Sequence, residues 1–590
     1  MTRTEKRLLT VALSACTALA TSASPAQEPL PRKVELSFNR FYDFEQLTEA
    51  LNDLVRAYPN LLTIRSIGKS TQGRDIWLVT INNPATGEDR DKPAMYIDGN
   101  VHGNEVQASE VCLYTIWYLT KSYGVVDKLT RLVDERAFYI VPSVNPDGRA
   151  YWFREPNTSS SARSGMKPTD DDFDGLYDED GPDDLDGDGH ITTMWKADPN
   201  GRWRRSPRDP RIFERVAADE KGEYTMLGEE GIDNDGDGRL NEDDPGGYDM
   251  NRNWPSGWQP NHVQYGAGEY PFSYPEPAAI GAFILDHPNI AAVQSYHNAG
   301  GMMLRGPGVE SRESFYPRED LAVYDEIGQT GERILPFYRY LVIWKDLYEV
   351  HGGFVNWTAE GLGIFSFTNE LWNADQYFQG KEGDWQRRDA RMRFGDLLEF
   401  EHHFVSYKPH QHPFYGEVLI GGWTKFASRV PPVFMLDELC HRNFAFTMYH
   451  ADQMPKLSFS RVRVKSLVPA TWEVTVEVTN ERLIPTVSGV AAQKRIGARD
   501  AVALTPTSDT NPAEAPRVVA SGTVGGWFDA AMSPTEHQPH RIWVDRGVAG
   551  RGQRLFRWII SGEGEVEITY RSQKAGVIRR TVALVEQDTP

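Results

Sequence analysis

The 590-residue chain is short of cysteine, short of positive charge, and has no long apolar run after its first two dozen residues. Three cysteines, at positions 16, 112 and 440, are too few for a disulfide framework in a chain this size. Cys112 sits in the apolar run Val111-Cys112-Leu113-Tyr114 and reads as a buried, inert thiol on a helix face. Lys and Arg number 63 against 84 Asp and Glu, a net charge of −21. That balance argues against nucleic acid as a partner, because phosphate binding needs a basic face. No later stretch has the roughly 18 apolar residues of a membrane-spanning helix. What remains, with 40% apolar and 25% charged residues, is the composition of a soluble globular protein. Its length calls for a large core with one or two accessory modules.

The exceptional apolar run is terminal. Arg3, Lys6 and Arg7 precede Leu8 to Ala20, and small residues follow to Ala26, the pattern of a secretory signal cleaved after Ala23 or Ala26. Leu13-Ser14-Ala15-Cys16 also resembles a bacterial lipobox, which would make Cys16 a lipid anchor. The expected location is secreted or periplasmic, with an envelope lipoprotein as the alternative. Residues 1–26 are set aside from the fold.

Residues 36–455 read as alternating strands and helices. Asp43 and Gln46 have capping-box spacing, and Phe44, Leu47, Leu51, Leu54 and Tyr58 recur at helical intervals. Short apolar runs at 76–81, 94–97, 138–141 and 290–293 are bounded by Gly, Pro, Asn or Asp, as buried strands are. The expected fold class is α/β, with helices covering the sheet. From Leu457 the period changes to two, at 461–465, 472–478, 541–544, 555–560 and 565–570, and a β-sandwich is expected over 456–590. The Ala- and Pro-rich segment 501–516 reads as a long loop within it.

His102-Gly103-Asn104-Glu105 follows the apolar run 94–97 and can direct two ligands at one metal. Alone this spacing is common. His297 ends a further apolar run and is followed by Asn298-Ala299-Gly300-Gly301, which leaves room for a ligand to approach. Two His and one Glu leave one tetrahedral position of Zn²⁺ open, the catalytic rather than the structural arrangement.

Further motifs accompany these three: Asn145-Pro146-Asp147-Gly148, Asp249-Met250-Asn251-Arg252-Asn253-Trp254, Tyr348, Gly352-Gly353, Asn356-Trp357 and Thr368-Asn369-Glu370-Leu371. In this order and spacing, residues 37–455 resemble a zinc carboxypeptidase of the funnelin superfamily. The resemblance implies a mixed-sheet α/β/α catalytic domain, with zinc on His102, Glu105 and His297. It implies that Glu370 is the catalytic base and that Asn251 and Arg252 bind the free C-terminal carboxylate of a peptide substrate. Tyr348 would be a flap over the bound residue. The oxyanion arginine would be Arg163, with Arg204 as competitor. Val355 would lie at the base of the pocket for the terminal side chain, near Ile343, Leu347 and Thr368. An apolar pocket leaves a buried cation unpaired, which implies preference for apolar or aromatic termini. No segment of propeptide length is evident between 27 and 36.

The motif order is interrupted over about 164–246 by three acidic runs: Asp170, Asp172 and Asp174; Asp184, Asp186 and Asp188; and Asp233, Asp235 and Asp237. Each run ends in Gly. Alternate carboxylates followed by Gly are how a short loop wraps oxygens around Ca²⁺, and structural calcium is expected here, at the mouth of the site. Two other readings stand beside a peptide-cleaving enzyme. One is a cell-wall peptide hydrolase on the same scaffold; the other is a non-catalytic, calcium-dependent surface-binding protein.

Overall fold

The computed structural model describes residues 30–171, 173–374, 388–507 and 515–589. The expected signal segment with Cys16, and Asp172 of the first acidic run, lie outside the described residues.

The capping box forms as expected. The Asp43 side chain accepts from the Gln46 backbone, the Gln46 side chain accepts from the Asp43 backbone, and helix Phe44–Ala57 buries Phe44, Leu47, Leu51 and Leu54. This helix lies against an eight-stranded sheet ordered Leu62–Lys69, Asp75–Ile81, Ala137–Val141, Ala94–Gly99, Ile290–Asn298, Phe365–Leu371, Met302–Arg305 and Arg339–Val342. The four central strands, from Ala137–Val141 to Phe365–Leu371, are parallel. Antiparallel pairs occur on both sides of them, so the sheet is mixed.

Alternation along these strands feeds two cores. Met95, Ile97, Phe138 and Ile140 join the helices Gln107–Ser122 and Leu436–Asp452 on one face. Tyr96, Tyr139 and Val293 join Pro275–Asp286 and Phe354–Leu362 on the other. Each fully buried side chain of this size contributes about 1.5–3 kcal/mol, which holds the strand ends in a fixed register. Cys112 is buried in helix Gln107–Ser122.

The acidic interruption is more than loops. Its strands Thr193–Ala197, Trp203–Arg205, Phe213–Arg215 and Tyr224–Glu229 form a second sheet, completed by the distant hairpin Phe404–His412 and Gly416–Trp423. Met194, Val418 and Ile420 are its small core.

The C-terminal region is a β-sandwich. A six-stranded and a four-stranded sheet, antiparallel in their pairings, enclose Val474, Val476, Phe556, Trp558, Ile568 and Tyr570. The expected loop at 501–516 is corrected in its first half. Asp500–Pro506 is a strand paired on both sides, with Val502 and Leu504 buried; residues 508–514 lie outside the described residues. Among the described residues no helix is long and apolar enough to cross a membrane.

Candidate metal centre

The site forms at the carboxyl ends of the parallel strands, where an open α/β sheet leaves a crevice. Strand Ala94–Gly99 stops at Asn100, which takes a left-handed conformation (φ 59°) that Asn tolerates better than most residues. Its side chain donates to the carbonyls of His102 (2.7 Å) and Gly103 (3.0 Å), coiling the ligand loop back. Gly103 permits a close approach, since a Cβ there would lie 2.4 Å from the Ala162 carbonyl oxygen. Its N–H donates to the Arg163 carbonyl (3.2 Å), so the loop that carries His102 also positions Arg163.

His102, Glu105 and His297 are all buried, and their donor atoms lie together. His102 Nδ1 is 3.0 Å from Glu105 Oε1, His297 Nδ1 is 2.9 Å from Glu105 Oε2, and the two Nδ1 atoms are 3.2 Å apart. Tetrahedral Zn²⁺ with bonds of ~2.1 Å separates its ligands by about 3.4 Å, so the cluster needs little movement to hold the ion. The far nitrogen of His102, Nε2, is 3.0 Å from Asp249 Oδ1. That contact fixes the ring with Nδ1 facing the cluster, as the outer partner of a metal-binding His does. The residues fit zinc.

Glu370 lies directly opposite His297 in the parallel pairing of Phe365–Leu371 with Ile290–Asn298. Burial, reinforced by the nearby Glu105 carboxylate, pushes its pKa up to about 7; His297, Arg163 and Arg429 pull the other way. Arg163 donates to Glu105 Oε1 (3.1 Å) and to Asp249 Oδ2 (3.2 Å). Burial works against its charge, but Asp249, Glu105 and Glu370 raise its pKa above the ordinary value. Arg204, the competitor, is half-exposed on Trp203–Arg205 of the second sheet, 3.5 Å from Glu220.

Arg252 is buried, with Nη1 donating to the Asn251 carbonyl (2.9 Å) and lying 3.8 Å from Asp249. The Asn251 side chain accepts from the Phe354 N–H (2.9 Å), tying this loop to the start of helix Phe354–Leu362. Val355 is buried in the same apolar cluster as Ile343. Thr368 is buried, Leu347 and Tyr348 are exposed, and Tyr348 is close enough to Arg163 to raise its pKa.

Three residues of the site carried no readable role in the sequence. Asp249 opens the motif that contains Arg252, and that adjacency was its available signal. Asn100 had none beyond ending a strand. Arg429 belongs to a segment with no motif, yet its Nη1 lies 3.7 Å from Glu105 Oε1.

More than half of the chain, residues 47–388, matches the family profile described as zinc carboxypeptidase. The chain belongs to the zinc carboxypeptidase family. A second profile, a domain of unknown function (DUF8731), matches residues 456–583, most of the sandwich. Among curated zinc carboxypeptidase relatives, one from Saccharothrix mutabilis subsp. capreolus is 36% identical over 115 residues, covering 19% of this chain and 26% of its own. Human carboxypeptidase D is 33% identical over 114 residues, covering 19% of this chain and 8% of its own. The matches thus span about a quarter or less of these relatives' lengths. Among solved structures, carboxypeptidase A from Helicoverpa armigera aligns with TM-score 0.39 and 22% identity, over 60% of this chain and 69% of that one. Thrombin-activatable fibrinolysis inhibitor aligns with TM-score 0.42 and 17% identity, over 70% and 74%.

The acidic loops fold alike. Asp170 accepts from the N–H groups of Asp174 and Gly175, Asp184 from Asp188 and Gly189, and Asp233 from Gly236 and Gly238. The first and third runs face one another across a bridge between Asp180 and Asp243. Asp171 and Asp178 donate backbone N–H groups to Asp243; Asn234 and Asn241 donate theirs to Asp180. Carboxylates converge in Asp184, Asp186 and Asp188, in Asp233, Asp235 and Asp237, and where Asp174 and Glu179 meet Asp235. Burial and the neighbouring Asp180 push Glu242 up to about 7. The interruption leaves and rejoins the catalytic domain beside Arg163 and Asp249, where the Ser164 hydroxyl donates to the Tyr248 carbonyl.

Proposed function

We propose that this protein is a zinc-dependent carboxypeptidase that removes apolar or aromatic residues from peptide C-termini. The observation that carries this reading is the convergence of His102, Glu105 and His297 with Glu370 in register beside them. His102, Glu105 and His297 would hold the zinc; when bound, it polarises the scissile carbonyl and makes water more acidic. The chain's own groups do the rest. Arg252 and Asn251 take the terminal carboxylate, for which a guanidinium is a matched planar donor. Glu370, with a pKa near the operating range of a general base, accepts a proton from the attacking water as its oxygen bonds to the carbonyl carbon. Arg163 donates to the carbonyl oxygen as it gains negative charge. Glu370 then passes the proton to the nitrogen, the C–N bond breaks, and the new amine leaves. Val355 and Ile343 make an apolar wall, which favours Phe or Leu over Lys at the terminus.

We further infer calcium in the acidic loops, supported by their repeated turn geometry and convergent carboxylates, and export across a membrane, supported by residues 1–26. The decisive experiment is hydrolysis of blocked dipeptides ending in Phe, Leu, Lys or Glu, with Glu370→Gln and a chelated sample beside the wild type. Release of Phe or Leu, lost by at least ~10³-fold in both controls, is expected. Faster release of Lys overturns the apolar preference, and release unaffected by Glu370→Gln overturns the mechanism.

A further inference from the structure

Arg429 enters the site from outside the span matched to the family, in the connection between strand Gly416–Trp423 and helix Leu436–Asp452. Its placement is built. Ser428 Oγ donates to Ser159 Oγ (2.7 Å), Arg429 Nε to the Ser159 carbonyl (3.2 Å), and Arg391 to the Ala427 carbonyl. Arg429 Nη1 donates to the carbonyl of Asn298, the residue after His297 (3.1 Å), and lies 3.7 Å from Glu105 Oε1. Nη2 has no partner among the described residues, and the side chain is 28% exposed. A guanidinium offers five N–H donors, so this one is held in place with donors to spare.

Its position along the site suggests their use. Charges alternate from contact to contact: Arg252, then Asp249 (3.8 Å), Arg163 (3.2 Å), Glu105 (3.1 Å) and Arg429 (3.7 Å). In the function proposed above, on which this inference rests, Arg252 takes the terminal carboxylate and Arg163 the scissile carbonyl. Counted by contacts, the third guanidinium is the one furthest removed from Arg252, so the part of the peptide left for it is the acyl part. The regular acceptor a peptide offers there is a backbone carbonyl.

We propose that Arg429 binds substrate on the acyl side of the scissile bond, donating to the backbone carbonyl of an upstream residue. This gives the enzyme a preference for longer peptides that the motif residues alone do not supply. It is a substrate-binding role, distinct from holding Glu105 in place.

The test needs no turnover. In the zinc-loaded Glu370→Gln protein, calorimetry compares a blocked tripeptide ending in Phe with the same peptide carrying a trans-alkene in place of its upstream amide. With Arg429 present, loss of the carbonyl should weaken binding about tenfold, the scale of a hydrogen bond from a charged donor. In Arg429→Ala the two peptides should bind within about twofold of each other, and Arg429→Lys should recover part of the difference. Zinc content and melting temperature should match the parent. An equal loss in both backgrounds, or a fall in zinc content in Arg429→Ala, overturns the inference. Binding of neither peptide overturns the proposed function as well, whereas tight binding without dependence on Arg429 overturns this inference alone.

Discussion

Two regions of this molecule concentrate carboxylates, and they neutralise them in opposite ways. At the metal centre, Glu105, Asp249 and Glu370 are enclosed together and surrounded by His102, His297, Arg163, Arg252 and Arg429. Burial opposes ionisation of Glu105 and Asp249, but the neighbouring imidazoles and guanidiniums hold both well below the usual carboxylate range. In the acidic loops the first carboxylate of each run is bonded to backbone N–H groups within five residues, and side-chain cations are few and exposed. Arg239 is 3.6 Å from Asp237, and Lys408 is 3.8 Å from Asp186. One cluster is compensated by tertiary partners from across the chain. The other is compensated locally and incompletely, which is the condition under which an oxygen-rich loop gains most from a divalent cation.

The sharpest way to break the comparison is to remove one arginine of each kind. Arg163→Ala should lower kcat about 10²–10³-fold, the usual cost of losing an oxyanion donor, while Arg204→Ala leaves kcat unchanged. A large effect at Arg204 instead would transfer the oxyanion role to the second sheet. Cation dependence comes next. Treatment with EDTA followed by zinc alone should restore the catalytic centre but leave the melting temperature several degrees low. Added calcium should then restore it, since a ligand at 100 times its Kd stabilises by about 2.7 kcal/mol. Asp184→Asn should reduce that calcium response, and full recovery with zinc alone would refute calcium in the loops.

A third effect, confined to acid pH, concerns a buried ionisable group with neither kind of compensation. His450 is fully buried, packs edge-on against Phe367 at 5.3 Å, and neither ring nitrogen has a hydrogen-bond partner among the described residues. Burial pushes its pKa down to about 3. The unfolded chain therefore binds this proton first as pH falls. Stability is intact above about pH 6.5 and declines between 6.5 and 3 by roughly 1.4 kcal/mol per pH unit. His450→Leu should shift the acid-unfolding midpoint downward, and an unchanged midpoint would remove His450 from the acid response.

Legibility followed the range of the interactions. The capping box and the strand ends are local, so spacing alone announced them; His102-x-x-Glu105 needed His297 and the motifs that follow it. Segment 500–506 was misread because Ala501 and Ala503 alternate with the buried Val502 and Leu504, and the surrounding Ala and Pro concealed the period. The second sheet was missed because its two halves are some two hundred residues apart. Arg429 was missed because nothing beside it in the chain marks an arginine that reaches the metal ligands.

By itself, then, the sequence determined which groups could hold a metal, which could move a proton, and that a β-rich unit follows an α/β one, because those properties reside in residue types and short periods. Only the tertiary structure decided that Arg163 rather than Arg204 meets Glu105, that Asp249 orients His102, and that Arg429 joins Arg163 beside Glu105. Each of those facts depends on distances between segments that are set by the packing of two cores on either side of one sheet.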